Sequence, residues 1–477
     1  AVYGGTPPCR ASAVETLWEP MLAAVQGVLS QAITKEALYA GAAYPNLVSA
    51  LDAMEQDLAT LGLLAEGDGL LSRFVQDRFE SLSQEIQGGY LGKARDLIVG
   101  KYGKGFEDTM LIGSWESNRL VAEAVVAQKY AEFERGEGLP FSVRGMRAGD
   151  LPVVEFGSFI ISSVSAELVS ILEQVMEDAG SCENAMLTRK FVEMVSDIAM
   201  LWIHLPAALY KQELQSVAHR VMIYFNDTTY ILGSITRLAC QWQEVIQKCG
   251  MMPRMAQEID NLSKAAFSHS YAQVRERTMQ LQSLVSANKF FRNTHKPNQE
   301  GKVRAALAEV RTQVEKVANI WKSLLAPQCF ARFLGAILDN VCTYIYAEIM
   351  SLKDISVRET EVLPTLILEL MGEGLAPFLS RGSPGQPKGG PSAAAEEEDA
   401  SKQVFEPLFS KFAPNWTKLR ELVDLFSMRL QQIVDRWEDG HWRAKGFTSD
   451  EVIHFISLVF EDGDYRTEKI NRILQQA

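Results

Sequence analysis

Glycine-rich segments are the first residues of this chain whose types could do chemistry. Residues 100–105 (Gly-Lys-Tyr-Gly-Lys-Gly) contain the residue types of a phosphate-binding loop, but not in the order and spacing of GxxxxGK[ST]. That spacing matters because the backbone N–H groups of the loop must cradle the phosphates. Residues 382–385 (Gly-Ser-Pro-Gly) lack the GxSxG pattern that exposes a nucleophilic serine. Neither segment predicts nucleotide binding or acyl transfer.

Histidines and cysteines are the residues that would hold a metal ion. The six histidines are His204, His219, His269, His295, His441 and His454. They show no HxxxH or HExxH spacing and have no Cys pair nearby, so we interpret them as surface or hydrogen-bonded core residues. The six cysteines are Cys9, Cys182, Cys240, Cys249, Cys329 and Cys342. Because they form no CxxC pair, they are interpreted as buried reduced thiols of a cytosolic protein.

Pairs of acidic residues do not indicate catalysis any more strongly than the glycine-rich segments, histidines and cysteines do. Glu361 and Glu373 are ordinary in a chain with 60 Asp and Glu residues. An acid–base pair has to be recognised by its geometry, which the sequence does not supply. We therefore predict that the chain is not an enzyme and has no catalytic residues, no cofactor, no metal site and no small-molecule substrate.

Composition limits the remaining classes of function. The chain has 477 residues, 47% of them hydrophobic, and a net charge of −13. That charge argues against direct nucleic-acid binding, which needs a surplus of Lys and Arg. The most apolar window, Ile198–Tyr210, is too short for a membrane span of about 20 residues, and it contains His204 and Pro206. We predict neither a membrane span nor a signal peptide.

Helical periodicity dominates the chain. The longest apolar stripe steps by four and three residues through Val303, Leu307, Val310, Val314, Val317, Trp321 and Leu324. Shorter stripes are Val164, Leu168, Ile171 and Val175, and Leu419, Leu422, Phe426, Leu430, Ile433 and Trp437. Alternating strand patterns are hard to find. The sequence predicts an all-α fold, an elongated rod of stacked antiparallel helix bundles, in which these stripes form the intramolecular core.

Breaks in the periodicity divide the chain into three predicted units. They are an N-terminal helical block (1–145), a central helical domain (146–298) and a C-terminal helical domain (299–477). The boundaries fall at Gly136–Pro152 and Asn293–Gly301, where Gly, Pro and charged residues accumulate. Residues 381–403 are rich in Gly and Pro and include the acidic run 396–399. They cannot bury enough apolar surface to order themselves, so we predict a flexible acidic insertion.

The C-terminal segment has the most consistent local signals. From Pro414 it predicts one long amphipathic helix, then a bend at 435–440, then a last helix. Thr448 and Glu451 have the spacing of a capping box, with Phe447 and Val452 placed as a hydrophobic staple. Nothing in this segment can do chemistry. The combination favours an element for packing and docking.

The same segment carries a family resemblance. Its residues are Trp416, Leu419, Glu421, Leu422, Leu430, Ile433, Asp435, Arg436, Trp437, Asp439, Gly440, Phe447, Glu451, Val452, Phe460 and Arg466. In this order they resemble the end of the zeste-white-ten centromere/kinetochore and endoplasmic-reticulum tethering family. Upstream, 352–356, 371–374 and 321–338 resemble the segments that precede it in that family, and 93–97 is a weaker match.

A middle segment, 224–231, is similar to a helix of that family but departs from it. Asp227 and Thr228 stand where Asn and Cys are expected, and Gly233 and Ser234 replace a His pair. The resemblance covers roughly residues 80–477. The family's N-terminal coiled-coil region has no counterpart here, so we expect the chain to be a fragment.

The resemblance implies a helical-rod, non-catalytic subunit of a multisubunit vesicle-tethering complex. Such a subunit acts at the endoplasmic reticulum in Golgi-to-ER retrograde transport and engages SNAREs. The implied partners are an elongated Rod-like protein or its ER counterpart, and SNARE-associated tether subunits. The alternative is a kinetochore adaptor of the Rod–Zwilch complex that recruits dynein for the spindle checkpoint. Either way, the implied location is cytoplasmic, peripheral at the ER membrane through partners, or at kinetochores in mitosis.

Docking contacts usually concentrate in a few aromatic and Arg residues. Arg436, Trp437 and Trp442 lie beside the Gly-containing bend and are the candidate partner-docking residues. An alternative stays open, in which both tryptophans merely lock the bend to the core.

Overall fold

The computed structural model describes residues 8–39, 43–60, 69–105, 108–112, 159–286, 291–372 and 412–476. Its N-terminal part consists of four helices. They are α1 (Pro8–Ala32), α2 (Lys35–Tyr39), α3 (Ala43–Thr60) and α4 (Leu70–Gly105). Helix α4 packs on the central helices through one face, on which Leu71, Val75, Phe79, Ile98 and Tyr102 are buried.

A short two-stranded antiparallel sheet follows the N-terminal helices. Strand β1 (Thr109–Ile112) pairs with β2 (Phe159–Ser162), with Thr109 opposite Ser162 and Ile112 opposite Phe159. Strand β2 runs directly into the next helix. The hydroxyl of Ser162 caps that helix by accepting a hydrogen bond from the N–H of Ser165 at 3.3 Å.

The central helices are mostly long and apolar. They are α5 (Ser163–Ser181), α6 (Ala185–Leu209), α7 (Glu213–Ser216), α8 (Ala218–Gln241), α9 (Gln243–Lys248) and α10 (Met252–Ser286). Helix α8 is buried on nearly all sides, because α5, β2 and α10 all pack against it.

The C-terminal helices continue the same packing. They are α11 (Pro297–Leu324), α12 (Pro327–Met350), α13 (Glu359–Met371), α14 (Pro414–Ser427), α15 (Leu430–Glu438), α16 (His441–Ala444), α17 (Ser449–Val459) and α18 (Asp464–Leu474). All seven residues of the predicted stripe on α11 are buried. Each helix packs mainly on near neighbours in the chain. The predicted all-α class is confirmed, and the stripe is intramolecular core.

Two predictions about the C-terminal segment are wrong. The long helix from Pro414 is two helices, because the backbone becomes extended at Met428 (φ −92°, ψ 151°) and a new helix begins at Leu430. The capped helix is not the last one, since α18 follows it. The capping box itself is confirmed at Thr448 and Glu451.

The prediction about membrane spans also needs correction. Two helices, Ala185–Leu209 and Cys329–Met350, are long and apolar enough to cross a membrane by length and composition. The window 198–210 missed the first because that helix begins at Ala185. In this fold both helices are core elements, with Phe191, Ile198 and Trp202 buried in the first of them.

The structure describes only one of the two predicted domain boundaries. The acidic insertion 381–403 and the boundary 136–152 lie outside the described residues. At the second boundary a turn at 291–296 ends where α11 begins, at Pro297. One hydrophobic core runs across this turn, since α10 packs on both α8 and α12. The three-unit division stays a prediction.

Candidate partner-docking region

The bend between α15 and α16 depends on one glycine. Gly440 has φ +76°, a left-handed conformation that residues with a Cβ adopt at a cost. Its N–H donates to the carbonyl oxygen of Trp437 at 2.9 Å, which closes the end of α15. The predicted Gly-containing bend is therefore present.

The two tryptophans at this bend are core residues. Trp437 is 2% exposed and Trp442 is 0% exposed. The indole N–H of Trp442 donates to the carbonyl oxygen of Ile433 at 3.0 Å. In this conformation neither indole is available to a partner, as the alternative interpretation expected. A docking role for the bend remains a prediction. Because both indoles are buried, any partner would have to contact the exposed side chains of the bend.

Two arginines cover the buried indoles from outside. The guanidinium carbon of Arg436, on α15, lies 5.7 Å from the ring centre of Trp442 on α16. In the opposite sense, Arg443 on α16 lies 5.0 Å from the ring of Trp437 on α15. Both arginines are exposed. This crossed arrangement stabilises the bend by cation–π attraction and presents two guanidinium groups on a rigid base.

A half-buried carboxylate, that of Glu421, holds α16 against α14. Glu421 accepts hydrogen bonds from Lys445 Nζ at 2.8 Å and from His441 Nε2 at 3.4 Å. Burial alone would raise the pKa of Glu421, but the hydrogen bonds and positive charges of Lys445 and His441 outweigh burial and lower it. The bend is thereby fixed by charge as well as by packing.

Glu451 of the capping box also pairs with a lysine on α14. Glu451 Oε2 accepts from the N–H of Thr448 at 2.8 Å, while Glu451 Oε1 lies 2.6 Å from Lys418 Nζ on α14. The Lys418 ammonium lies 4.9 Å from the ring centre of Tyr346 and 5.2 Å from that of Phe447. One carboxylate thus caps α17 and joins it to α14.

The last helix is attached to α15 by an ion pair. Arg472 donates two hydrogen bonds to the Glu438 carboxylate, from Nε at 2.9 Å and from Nη2 at 2.7 Å. Tyr465, at the start of this helix, is 55% exposed. Arg436, Arg443 and Tyr465 are therefore among the side chains of this end that a partner can reach.

Sequence reasoning missed a second polar site, in the central core. Asp227 on α8 is fully buried and accepts four hydrogen bonds. The donors are the N–H of Ser162 at 2.7 Å, the Ser162 hydroxyl at 2.9 Å, the Ser165 hydroxyl at 2.9 Å and the Tyr102 hydroxyl at 3.0 Å. Burial raises the pKa of Asp227 to about 6, although these hydrogen bonds oppose the shift.

The neighbours of Asp227 also join separate elements. Asn226 donates to the carbonyl oxygens of Ile160 on β2, at 2.7 Å, and of Leu324 on α11, at 2.9 Å. The Thr228 hydroxyl accepts from the Trp202 indole at 3.0 Å. Polar residues within the apolar run 221–232 were the available signal in the sequence. The site holds α4, β2, α6 and α11 around α8.

Two of the histidines considered as metal ligands make polar contacts within the fold. His295 Nδ1 lies 3.2 Å from the Glu359 carboxylate, and His454 Nε2 lies 2.7 Å from the carbonyl oxygen of Met350. Burial raises the pKa of the Cys329 thiol to about 12. Within the described part of the chain, no three His, Cys, Asp or Glu side chains meet in a metal-binding arrangement.

Comparison with known proteins gives a family match in the C-terminal half. Residues 305–473 match the ZW10 C-terminal helical domain. The matched region runs from within α11 to near the end of α18. It therefore includes the bend, its crossed arginines and the capping box.

Relatives that align with about two thirds of this chain agree with that match. A centromere/kinetochore protein zw10 homolog of Arabidopsis thaliana is 23% identical over 318 residues, which cover 66% of this chain and 40% of that protein. The Rattus norvegicus homolog is 22% identical over 316 residues (66% and 39%). The Drosophila melanogaster protein zw10 is 19% identical over 320 residues (67% and 39%). The chain spans about 40% of the length of these relatives.

A solved structure was also found, the C-terminal domain of the exocyst subunit Sec6p. It is 9% identical, covers 84% of this chain and 92% of its own, and has a TM-score of 0.41. That similarity is too low to support an argument. Residues 305–473 are thus similar to the ZW10 C-terminal helical domain, and about two thirds of the chain is similar to zw10 homologs.

Proposed function

We propose that this chain is a non-catalytic subunit of a multisubunit vesicle-tethering complex at the endoplasmic reticulum. It would act in Golgi-to-ER retrograde transport and engage SNAREs through SNARE-associated tether subunits. The observation that carries the proposal is the ZW10 C-terminal helical domain at residues 305–473, in agreement with the sequence resemblance. In this proposal the protein is not an enzyme and associates with the membrane only through its partners.

Helical architecture suits such a role because a tether must keep its partners at a fixed separation. An α-helix rises about 1.5 Å per residue, so the 35 residues of α10 extend over about 50 Å. Packing of each helix on near neighbours makes the assembly stiff along its length. A binding surface at one end then holds its partner in a defined place.

The C-terminal bend is the proposed docking surface. Arg436 and Arg443 are exposed, and the buried indoles beneath them keep both guanidinium groups in position. Arginine presents a planar, permanently charged group that suits carboxylates and backbone carbonyls of a protein partner. In the proposal, Trp437 and Trp442 position the arginines and make no contact with the partner themselves.

Affinity purification of the intact chain from interphase and mitotic cells tests the proposal. We expect ER tether subunits and SNARE proteins in the interphase sample. Recovery of neither ER tether proteins nor Rod-like partners in either sample would contradict it.

The second candidate is a kinetochore adaptor that joins a Rod–Zwilch complex and recruits dynein. It is favoured by the names of the relatives, which are called centromere/kinetochore proteins. Recovery of Rod-like partners from mitotic cells alone, without ER tether proteins in interphase, would favour this candidate over the first.

A further inference from the structure

The two edges of the two-stranded sheet differ in what covers them. The N–H of Ser163 donates to the carbonyl oxygen of Asp108 at 3.0 Å, just outside the paired strands. Hydrogen-bonded and non-bonded pairs alternate along an antiparallel ladder, so Met110 and Ile161 form the next hydrogen-bonded pair. The residues between such pairs turn their N–H and C=O groups outward, away from the partner strand. These residues are Thr109 and Leu111 on β1, and Ile160 and Ser162 on β2.

Side chains of α8 close the outer edge of β2. Asn226 Nδ2 donates to the carbonyl oxygen of Ile160 at 2.7 Å, and the N–H of Ser162 donates to Asp227 Oδ1 at 2.7 Å. These contacts use the outward-pointing groups of β2 that the register assigns, so the alternation along the ladder is consistent on both strands. An amide and a carboxylate thus stand where a neighbouring strand would offer its own donor and acceptor.

The outer edge of β1 has no such cover in the described part of the chain. The N–H and C=O groups of Thr109 and Leu111 have no hydrogen-bond partner there. The side chain of Thr109 is exposed, and Met110 is 43% exposed. An accessible strand edge with a row of unpaired N–H and C=O groups is a template for an added strand.

One face of the sheet favours an apolar side chain at this edge. Met110 lies opposite Ile161, so both side chains are on the same face. Ile161 and Phe159 are buried on that face together with Ala326. An apolar side chain on the far side of Met110 would extend this small cluster and cover the exposed part of Met110.

The start of β1 carries an unneutralised negative charge. The carboxylate of Asp108 is exposed and accepts a hydrogen bond from the Ser163 hydroxyl at 2.7 Å. Among the residues that the structure describes, no Lys or Arg pairs with Asp108, and Lys101, near the end of α4, already pairs with Glu167 at 2.8 Å. A basic residue at the matching end of an added strand would neutralise this carboxylate.

We propose that an extended segment of another protein adds to the outer edge of β1 as a third strand. Its backbone would pair with the outward N–H and C=O groups of Thr109 and Leu111. A helix cannot do this, because its backbone groups are already paired within the helix. Its side chains would alternate between the two faces of the sheet, with an apolar residue beside Met110 and a Lys or Arg beside Asp108.

A second copy of this chain fits the edge less well. The residues from Asp108 to Ile112 include no Lys or Arg. Two β1 strands paired with each other would therefore leave both Asp108 carboxylates without a cation. The proposed strand addition is separate from the C-terminal docking surface and does not depend on the proposed function.

Site-specific photo-crosslinking in the full chain tests this inference. Benzoylphenylalanine at position 110 is activated in cells, and the crosslinked peptide is sequenced by mass spectrometry. We expect a peptide of another protein in which apolar residues alternate with other residues and a Lys or Arg stands at one end. Thr109→Pro should lower the yield about tenfold, because it removes an outward N–H that the added strand needs but none of the hydrogen bonds to β2.

Matched variants make the outcomes distinct. Thr109→Val keeps the backbone N–H and should retain the yield of the parent chain. Position 109 is exposed, so the melting temperatures of both variants should stay within about 2 °C of that of the parent chain. If Thr109→Pro lowers it further, Asp108→Lys decides, since charge reversal should also reduce the yield by repelling the basic end of the segment.

Several results would overturn the inference. They are a crosslink to this chain itself, whether to residues 113–158 or to a second copy, a peptide without alternating apolar residues, and no crosslink. Equal yields from Thr109→Pro and Thr109→Val at equal melting temperatures, or a yield that Asp108→Lys leaves unchanged, would overturn it as well.

Discussion

At the scale of single residues, buried polar and aromatic groups decide how the rigid parts of this molecule are joined. The Trp442 indole fills the core beneath the C-terminal bend, and the Asp227 carboxylate joins four chain segments in the centre. Neither role could be read from the sequence alone. A tryptophan beside a bend fits a docking anchor as well as a core residue, and a lone Asp in an apolar helix does not reveal its donors.

Trp442 provides the first test at this scale. Truncation to alanine removes a fully buried indole, its hydrogen bond to Ile433 and the cation–π partner of Arg436. We expect Trp442→Ala to lower the free energy of unfolding by about 3–5 kcal/mol. Urea unfolding followed by circular dichroism measures this loss. Tyr465→Ala removes an exposed aromatic from the same region and should change stability little; equal effects of the two substitutions would contradict the burial of Trp442.

Asp227 provides a test through pH. Its pKa is about 6 in the folded chain and 3.8 in the unfolded one, so between these values the folded state binds more protons. Stability from this group is therefore greatest at acidic pH and declines as pH rises through about 6. Between acidic pH and neutral pH this group lowers the free energy of unfolding by about 3 kcal/mol, because each unit of pKa corresponds to about 1.4 kcal/mol.

Neutral Asp227→Asn should remove this dependence. At pH 7.5 we expect the variant to be at least as stable as the parent chain, with the advantage shrinking towards pH 4.5. Urea unfolding across this range checks it, with Asp260→Asn in the surface pair with Lys264 as the control. A stability difference between parent and Asp227→Asn that stays constant with pH would refute the raised pKa.

At the scale of helices, the sequence predicted features that have a fixed residue spacing, and it missed helix boundaries that have no such signal. The capping box at Thr448 and the stripe on α11 were predicted because both rest on fixed spacings. The break at Met428 was missed because apolar residues keep helical spacing on both sides of it. Local support at the start of α15 comes from the Gln432 side chain, which accepts from the N–H of Arg429 at 3.0 Å. Helix α18 was missed because it buries only Lys469 and Ile473.

The glycine at the bend makes a prediction of its own. A Cβ at position 440 would meet no atom within 4 Å, so the cost of Gly440→Ala comes from its left-handed backbone alone, at about 1–2 kcal/mol. Gly301→Ala, also without a steric clash but inside α11, should instead stabilise the chain by about 0.5–1 kcal/mol. Thermal unfolding of the two variants should give shifts of opposite sign. Shifts of the same sign would contradict the assigned backbone at Gly440.

At the scale of the whole molecule, one continuous hydrophobic core connects helices from the N-terminal block to α18. Heptad stripes predicted this core because their members are apolar and evenly spaced. The division into three domains could not be predicted in the same way, since a Gly- and Pro-rich break marks a turn whether or not the core ends there. The turn at 291–296 illustrates this, with core packing on both of its sides.

The central claim is that a rigid helical array docks a tether partner through the exposed arginines of its C-terminal bend. Affinity purification from interphase cells, comparing the parent chain with Arg436→Glu plus Arg443→Glu, tests it most directly. Arg95→Glu, which removes an exposed pair with Asp96 on α4, is the control. The account predicts that the double variant loses the ER tether subunits, while Arg95→Glu and the parent chain retain them. Equal recovery of tether subunits by all three proteins would contradict it.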